Sequence, residues 1–144
     1  MTISYKVTGT EDISDAIKRL DSRKARSLLA RALNQAAQPV VKDARTNADR
    51  EVGRRTGKGR KNIKKRNLKK SERNMLNLDQ AVMVYLHSDG FYLGMWEKGF
   101  TRNGIHYPAK PWLRPALDNN EAQVINLYRQ RAKFLIEKEV AKQK

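Results

Sequence analysis

Residues 81–96 read AVMVYLHSDGFYLGMW. Ala81 to Leu86 is apolar and partly β-branched, and Phe91 to Trp96 is rich in aromatics. Between the two runs stands Asp89-Gly90, a turn pair whose placement predicts a β-hairpin. Gly94, inside the second run, marks a bulge or a close backbone approach. Helical patterns lie on both sides of this stretch. A hairpin here therefore sets the class as α+β: a small antiparallel sheet packed against helices.

Downstream, EKGFTRNGIHY reads as a glycine-bearing, aromatic-tipped loop, and PAKPWLRPALDNN follows it. Pro108 and Pro111 keep the backbone extended, and Pro115 suits the first turn of a helix. Leu117, Val124, Tyr128, Ala132 and Leu135 recur at helical spacing, with Ile125 and Ile136 beside them, so a long amphipathic helix closes the chain. Its end, EKEVAKQK, is expected to fray.

Upstream, Ile3, Tyr5 and Val7 alternate with polar residues and predict a short strand. Thr8 or Thr10 can cap a short helix marked by Ile13, Ile17 and Leu20, Glu11 standing at capping-box spacing from Thr8. Asp21 or Ser22 can cap a longer helix. Its stripe of Ala25, Leu28, Leu29, Ala32, Ala36, Val40, Ala44 and Ala48 is narrow and alanine-rich, which permits close helix packing. Pro39 falls inside that stripe, removes a helical hydrogen bond and predicts a kink or two helices meeting end to end.

Between these halves lies RRTGKGRKNIKKRNLKKSER, residues 54–73. It holds eleven Lys or Arg and one acid, Glu72, and supplies +10 of the chain's net charge of +16. Gly53, Gly57 and Gly59 interrupt any helix at its start, and only Ile63 and Leu68 are apolar. With so little of its own to bury, the run is expected to be a flexible loop inserted in a single domain spanning 1–144. Removing it is then expected to spare the fold. Such a charge concentration is costly in self-repulsion and implies a negative partner. Its contacts would be Arg54, Arg55, Lys58, Arg60, Lys61, Lys64, Lys65, Arg66, Lys69, Lys70 and Arg73.

Catalytic chemistry is not visible. The chain has no cysteine and only two histidines, His87 and His106, at no ligand spacing, so neither a metal site nor a cofactor is expected. TGKGRK lacks the G-x-x-x-x-G-K-[ST] spacing of a phosphate loop, and no nucleophile elbow occurs. Glu97 has no second carboxylate near it in sequence and reads as a surface acid paired with Lys98 or an arginine. The chain is read as no enzyme. No apolar stretch reaches the ~20 residues of a membrane span, the start does not read as a signal peptide, and the basic run lacks an apolar face for a lipid surface. The expectation is a soluble protein made in the cytoplasm. Trp96, Trp112 and Tyr92 are not interleaved with the cations, which points to core or interface rather than base stacking.

YLGMWEKG, followed by PAKPWLRPAL, resembles the signature of the minor tail components of long-tailed bacteriophages, the tail-completion or head–tail joining family. In that family a Tyr-bearing strand leads to a Glu-x-Gly-Thr turn, and a Pro-Ala-x-Pro-Phe-Leu-Arg-Pro-Ala segment opens the last helix. Tyr92, Glu97 and Gly99 match the first part. Pro108, Ala109, Pro111, Leu113, Arg114, Pro115 and Ala116 match the second, with Trp112 in place of Phe. Phe100 stands where Thr is usual, and Lys98 where an aromatic or aliphatic residue is. The order of strand, helix, proline-interrupted helix, basic stretch and Thr56-Gly57 also fits.

The resemblance implies a structural virion protein of the phage neck, assembled in the host cytoplasm. It also implies a homo-oligomeric ring, often six-fold, that meets other neck and tail proteins. A ring requires heterologous, closing interfaces. Trp112 and its neighbours are candidates either to anchor in a partner or to plug the chain's own core. The basic loop would face an acidic neck partner or make non-specific DNA contact. The alternative is a basic nucleic-acid-binding protein without enzymatic activity, motivated by charge alone.

Overall fold

The alanine stripe forms two helices, α1 (Ser22–Ala36) and α2 (Gln38–Glu51), which bury Ala25, Leu28, Ala32, Leu33 and Ala36 on the first and Val40, Val41, Ala44, Asn47 and Ala48 on the second. The break falls at Ala37, one residue before α2 opens, where Ala37 N still donates to Leu33 O (3.1 Å). Pro39 is thus the second residue of α2, in the first turn, where a missing N–H leaves no helical bond unmade. The expected meeting of two helices is what the proline produces.

The structure, a computed structural model, describes residues 2–5, 21–53, 57–78 and 80–142. The short helix expected around Ile13, Ile17 and Leu20, with its Thr8 and Thr10 caps, lies outside these residues, as do Arg54 and Arg55. The remaining elements are β1 (Thr2–Tyr5), α3 (Lys58–Lys61), β2 (Ile63–Asn67), α4 (Lys70–Met75), β3 (Val82–Leu86), α5 (Phe91–Lys98), β4 (Phe100–Arg102), β5 (Ile105–Tyr107) and α6 (Leu113–Lys142). The class is α+β with antiparallel sheets, as expected.

Three strands pair in the order β1-β3-β2, which leaves β2 at an edge. His87 N donates to Asn62 O (2.9 Å) at one end of the β2–β3 pairing and Leu68 N to Ala81 O (3.0 Å) at the other, so the two strands run antiparallel. Ala81 to Val84 are all buried.

This overturns the reading of the basic run as a loop. Over its described residues it is helix, strand and helix, and Ile63 and Leu68 are both buried. Two apolar residues suffice because β3 supplies backbone hydrogen-bond partners, and because lysine stems can cover apolar surface while their heads stay in water. The outward lysines also suit an edge, where charge discourages a further strand from pairing.

The central hairpin is likewise not where Asp89-Gly90 placed it. Ser88–Gly90 is a 3-10 turn, and Phe91–Trp96 is helical. Gly90 has φ −101°, not the positive φ of a two-residue hairpin turn, and a Cβ there would lie 2.8 Å from Asn62 Cβ. Its glycine serves close approach. Gly94 sits in the helix with only ordinary contact at its Cβ position, so it is no bulge. The actual hairpin is β4–β5, inside the segment read as a loop. It pairs Phe100 with Tyr107 and Arg102 with Ile105 around Asn103-Gly104, whose φ values of 52° and 77° are the type I′ signature.

Contacts divide the chain into two compact units, whose boundaries fall inside β1 after Ile3, at the start of α2 after Gln38, inside β2 after Lys65, inside β3 after Met83 and inside α6 after Glu121. One contains α2, α3, α5, the β4–β5 hairpin and the start of α6. Within it, Arg45 on α2 donates to Ile63 O through Nε (3.3 Å) and Nη2 (2.9 Å), and Asn120 on α6 donates to Asp43 Oδ2 (2.6 Å). The other contains α1, α4 and the rest of α6. There Asn34 donates to Asn67 Oδ1 (3.1 Å), and Lys24 pairs with Glu139 (3.5 Å).

Ile63→Ala is expected to cost about 2–5 kcal/mol, the range for emptying a buried isoleucine site. Deleting residues 54–73 should abolish cooperative urea unfolding altogether, since it removes a strand. Circular dichroism with urea titration checks both.

Candidate functional site

Glu97 is the penultimate residue of α5, and its carboxylate reaches the start of α6. Oε2 accepts from Trp112 N (2.6 Å) and Leu113 N (2.9 Å), and Oε1 from Arg114 N (3.1 Å). A helix leaves its first four N–H groups without partners. Here three go to Glu97, and the fourth residue, Pro115, has none to offer. The bonds are charge-assisted, and the carboxylate lies at the positive end of the helix dipole. The expected pairing of Glu97 with Lys98 or an arginine side chain is replaced by this cap.

Local sequence brings the two ends together. Gly99 ends α5 at φ 78°, ψ 158°. A Cβ there would lie 2.9 Å from Ala109 N and 3.0 Å from Tyr107 O, so only glycine lets the returning strand lie against the helix end. The Asn103-Gly104 turn reverses the chain, and Lys110 N then donates to Trp96 O (2.7 Å).

Trp112 follows, 1% exposed, with all its polar groups engaged. Its indole Nε1 donates to Leu93 O (2.7 Å), its N–H to Glu97, and its carbonyl accepts from Asn47 Nδ2 (3.1 Å). Trp112 and Leu113 therefore plug the chain's own core, one of the two uses that the sequence leaves open. Pro111 and Arg114 are exposed, Pro115 is half-buried, and Arg114 lies 3.9 Å from Asp118 one turn on. Tyr92 is half-buried with its hydroxyl where a side chain on Gly59 would collide, which explains that glycine. Asn47 and Leu93 escaped the sequence reading. An asparagine within an alanine stripe is the signal that could have found the first; a backbone acceptor leaves none.

The basic residues do not form one cluster of equivalent charges. Arg60 pairs with Asp49 (3.0 Å). Arg66 grips Glu72 with two bonds, Nη1 to Oε2 (2.8 Å) and Nη2 to Oε1 (2.7 Å), and Lys69 N donates to Glu72 Oε2 (2.7 Å). Lys65 is half-buried, which lowers its pKa, and Arg73 is half-buried. Lys61, Lys64, Lys69 and Lys70 are exposed, and Lys58 belongs to α3. The basic residues open to a polyanion are thus fewer than the sequence count.

His87 and His106 are exposed, each 3.4 Å from a hydroxyl, Ser88 Oγ and Thr101 Oγ1. Among the described residues no group of three acids or histidines could hold a metal ion, and no helix is long and apolar enough to cross a membrane. Comparison of the chain with family models, with curated proteins and with solved structures found no match.

Glu97→Ala strands three helix-start donors and should lower stability by about 1–3 kcal/mol in urea titration. Glu97→Gln, which keeps one carbonyl oxygen, should fall between. The Arg66 bonds, then the Lys69 N–H, hold the Glu72 carboxyl down at about 2. A depressed folded pKa means that the stabilisation is complete above the unfolded value near 4.5 and fades as pH falls toward 2. Glu72→Gln should lower the urea midpoint at neutral pH and flatten its decline across that acid window.

Proposed function

We propose that this chain is a structural subunit of the neck of a long-tailed bacteriophage, acting in tail completion and head–tail joining as one copy in a ring at the junction of portal and tail tube. The observation that carries the reading is the Glu97 cap. The two halves of the motif resembling the tail-completion family, YLGMWEKG and PAKPWLRPAL, are one mechanical device: the glutamate of the first closes the helix start of the second. Their co-occurrence in sequence thereby has a physical reason, and it supports treating the resemblance as one of architecture.

In this role the protein performs no reaction. The buried Trp112 stiffens the subunit, and contact with neighbours falls to exposed groups. Lys61, Lys64, Lys69 and Lys70 would face an acidic neck protein or the passing genome. Their position on and beside an edge strand would hold a negative surface near the sheet without adding a strand to it.

Electron microscopy of particles made without the gene should show unattached heads and tails; normally joined virions would overturn the proposal. The double variant Lys61→Glu, Lys64→Glu should retain the wild-type melt yet complement that defect poorly. Sequence-independent nucleic-acid binding predicts something different: affinity of the purified protein for duplex DNA that falls with a log–log salt slope near −0.9 per phosphate neutralised.

A further inference from the structure

Within the unit that holds α5 and the β4–β5 hairpin lies an open groove of about 470 Å³. Phe91, Tyr92, Met95 and Trp96 from the helix and Phe100, Arg102 and Tyr107 from the hairpin line it. This volume lies within the range of ligand-sized sites, about 300–1,000 Å³. The sequence alone hid the groove, because α5 reads as a strand and the hairpin as a loop.

Its floor is rigid. Phe100 and Tyr107 are cross-strand partners, stacked with centroids 4.8 Å apart and planes 13° from parallel. Trp96 meets both edge-on, at 4.9 and 5.9 Å, and Lys110 Nζ lies 4.9 Å from its ring. The wall is apolar and open: Phe91 is 68% exposed, and Met95, one helical turn on, is 39% exposed. Ile105 continues the surface at the hairpin tip, 58% exposed. Scattered exposed apolar residues need no explanation, but a contiguous aromatic set around a concavity marks a contact site. Aromatics with an arginine are also the composition that carries binding energy at interfaces.

The rim selects the occupant. Arg102 lines the groove, Lys110 lies over Trp96, and Lys98 is exposed two residues beyond Trp96 in the chain. Glu97 is the only acid between residues 90 and 117, and its carboxylate is spent on the α6 backbone. A second copy of a chain with net charge +16 would bring like charge to this rim. Phe100 and Tyr107 each give one face to the other and Lys110 lies over Trp96, so the floor offers a stacked nucleobase less ring face than Phe91, which stands open on the wall.

We propose that the groove docks a segment of a partner protein that presents a large apolar or aromatic side chain flanked by Asp or Glu. The anchor would enter between Phe91, Met95 and the Phe100–Tyr107 pair, and the carboxylates would meet Arg102 and the two lysines, which steer and orient more than they hold. The site goes beyond the assembly role and stands whether or not that role is correct.

The test uses the full chain and a synthetic peptide array in which Phe, Trp, Leu or Met is flanked by Asp and Glu. Matched arrays carry Ser at the anchor or Lys at the flanks. Hits are titrated against the fluorescence of Trp96, with Trp96→Phe identifying the signal and calorimetry confirming binding. Acidic anchored peptides should bind at least about tenfold tighter than either control, and Phe91→Ser and Arg102→Glu should each cost a similar factor. Both altered residues are exposed, and an unchanged thermal melt shows that each variant is folded; should Phe91→Ser lower the melt, Arg102→Glu alone decides. No preference over the Ser or Lys controls would overturn the proposal. So would binding of an oligothymidine that Phe91→Ser abolishes, or a loss of self-association in Phe91→Ser measured by sedimentation.

Discussion

One carboxylate closes the start of a helix whose own chain cannot cap it. The residues before α6 are extended prolines and a tryptophan, none with a side chain that can accept a bond from the first turn. Glu97 arrives from α5 and takes Trp112, Leu113 and Arg114 N–H together, while Pro115 contributes no donor. Stranding these part-buried donors together would cost about 1–3 kcal/mol, so the cap is worth more than a surface ion pair. Through it the direction of α6 at its first turn is set by α5, and Trp112 is drawn in beneath, its indole on Leu93 O and its carbonyl on Asn47. Gly99 is the condition for all of this, since a side chain there would hold the strand leading to Trp112 away from the helix end.

The basic run has two physical roles that its composition alone does not separate. As structure it is the edge of the three-stranded sheet, with Ile63 and Leu68 inward and lysines outward. As charge it is partly neutralised at home by Asp49 and Glu72. What remains for a partner is the exposed set on and around β2. The aromatic groove between α5 and the β4–β5 hairpin offers a different kind of contact, apolar in its floor and positive only at its rim.

Much of the fold was legible. The break just before Pro39, the buried stripe of α6 and the mixed class follow from spacing and from proline's missing donor. The turn chemistry was legible too, but it sat in a second place: Asn103-Gly104, not Asp89-Gly90, has the positive φ at both positions. The residues Phe91 to Trp96 carry both patterns. Read as alternation they are a strand. Read as Leu93 and Glu97 one turn apart, both turned toward Trp112, they are the helix that the structure contains.

By itself the sequence determined where helices break, which faces are apolar, that the chain carries a large excess of positive charge, and that PAKPWLRPAL opens a helix. These are local matters, decided by spacing, by proline and by side-chain chemistry. Tertiary structure decided the rest: that a lysine-rich run becomes a strand, that Glu97 is a cap and Trp112 a plug, and that seven residues, five of them aromatic, line one groove. Each of these depends on a partner distant in sequence. A strand takes its backbone hydrogen-bond partners from its neighbour, and a helix start accepts its cap from whichever carboxylate the fold delivers.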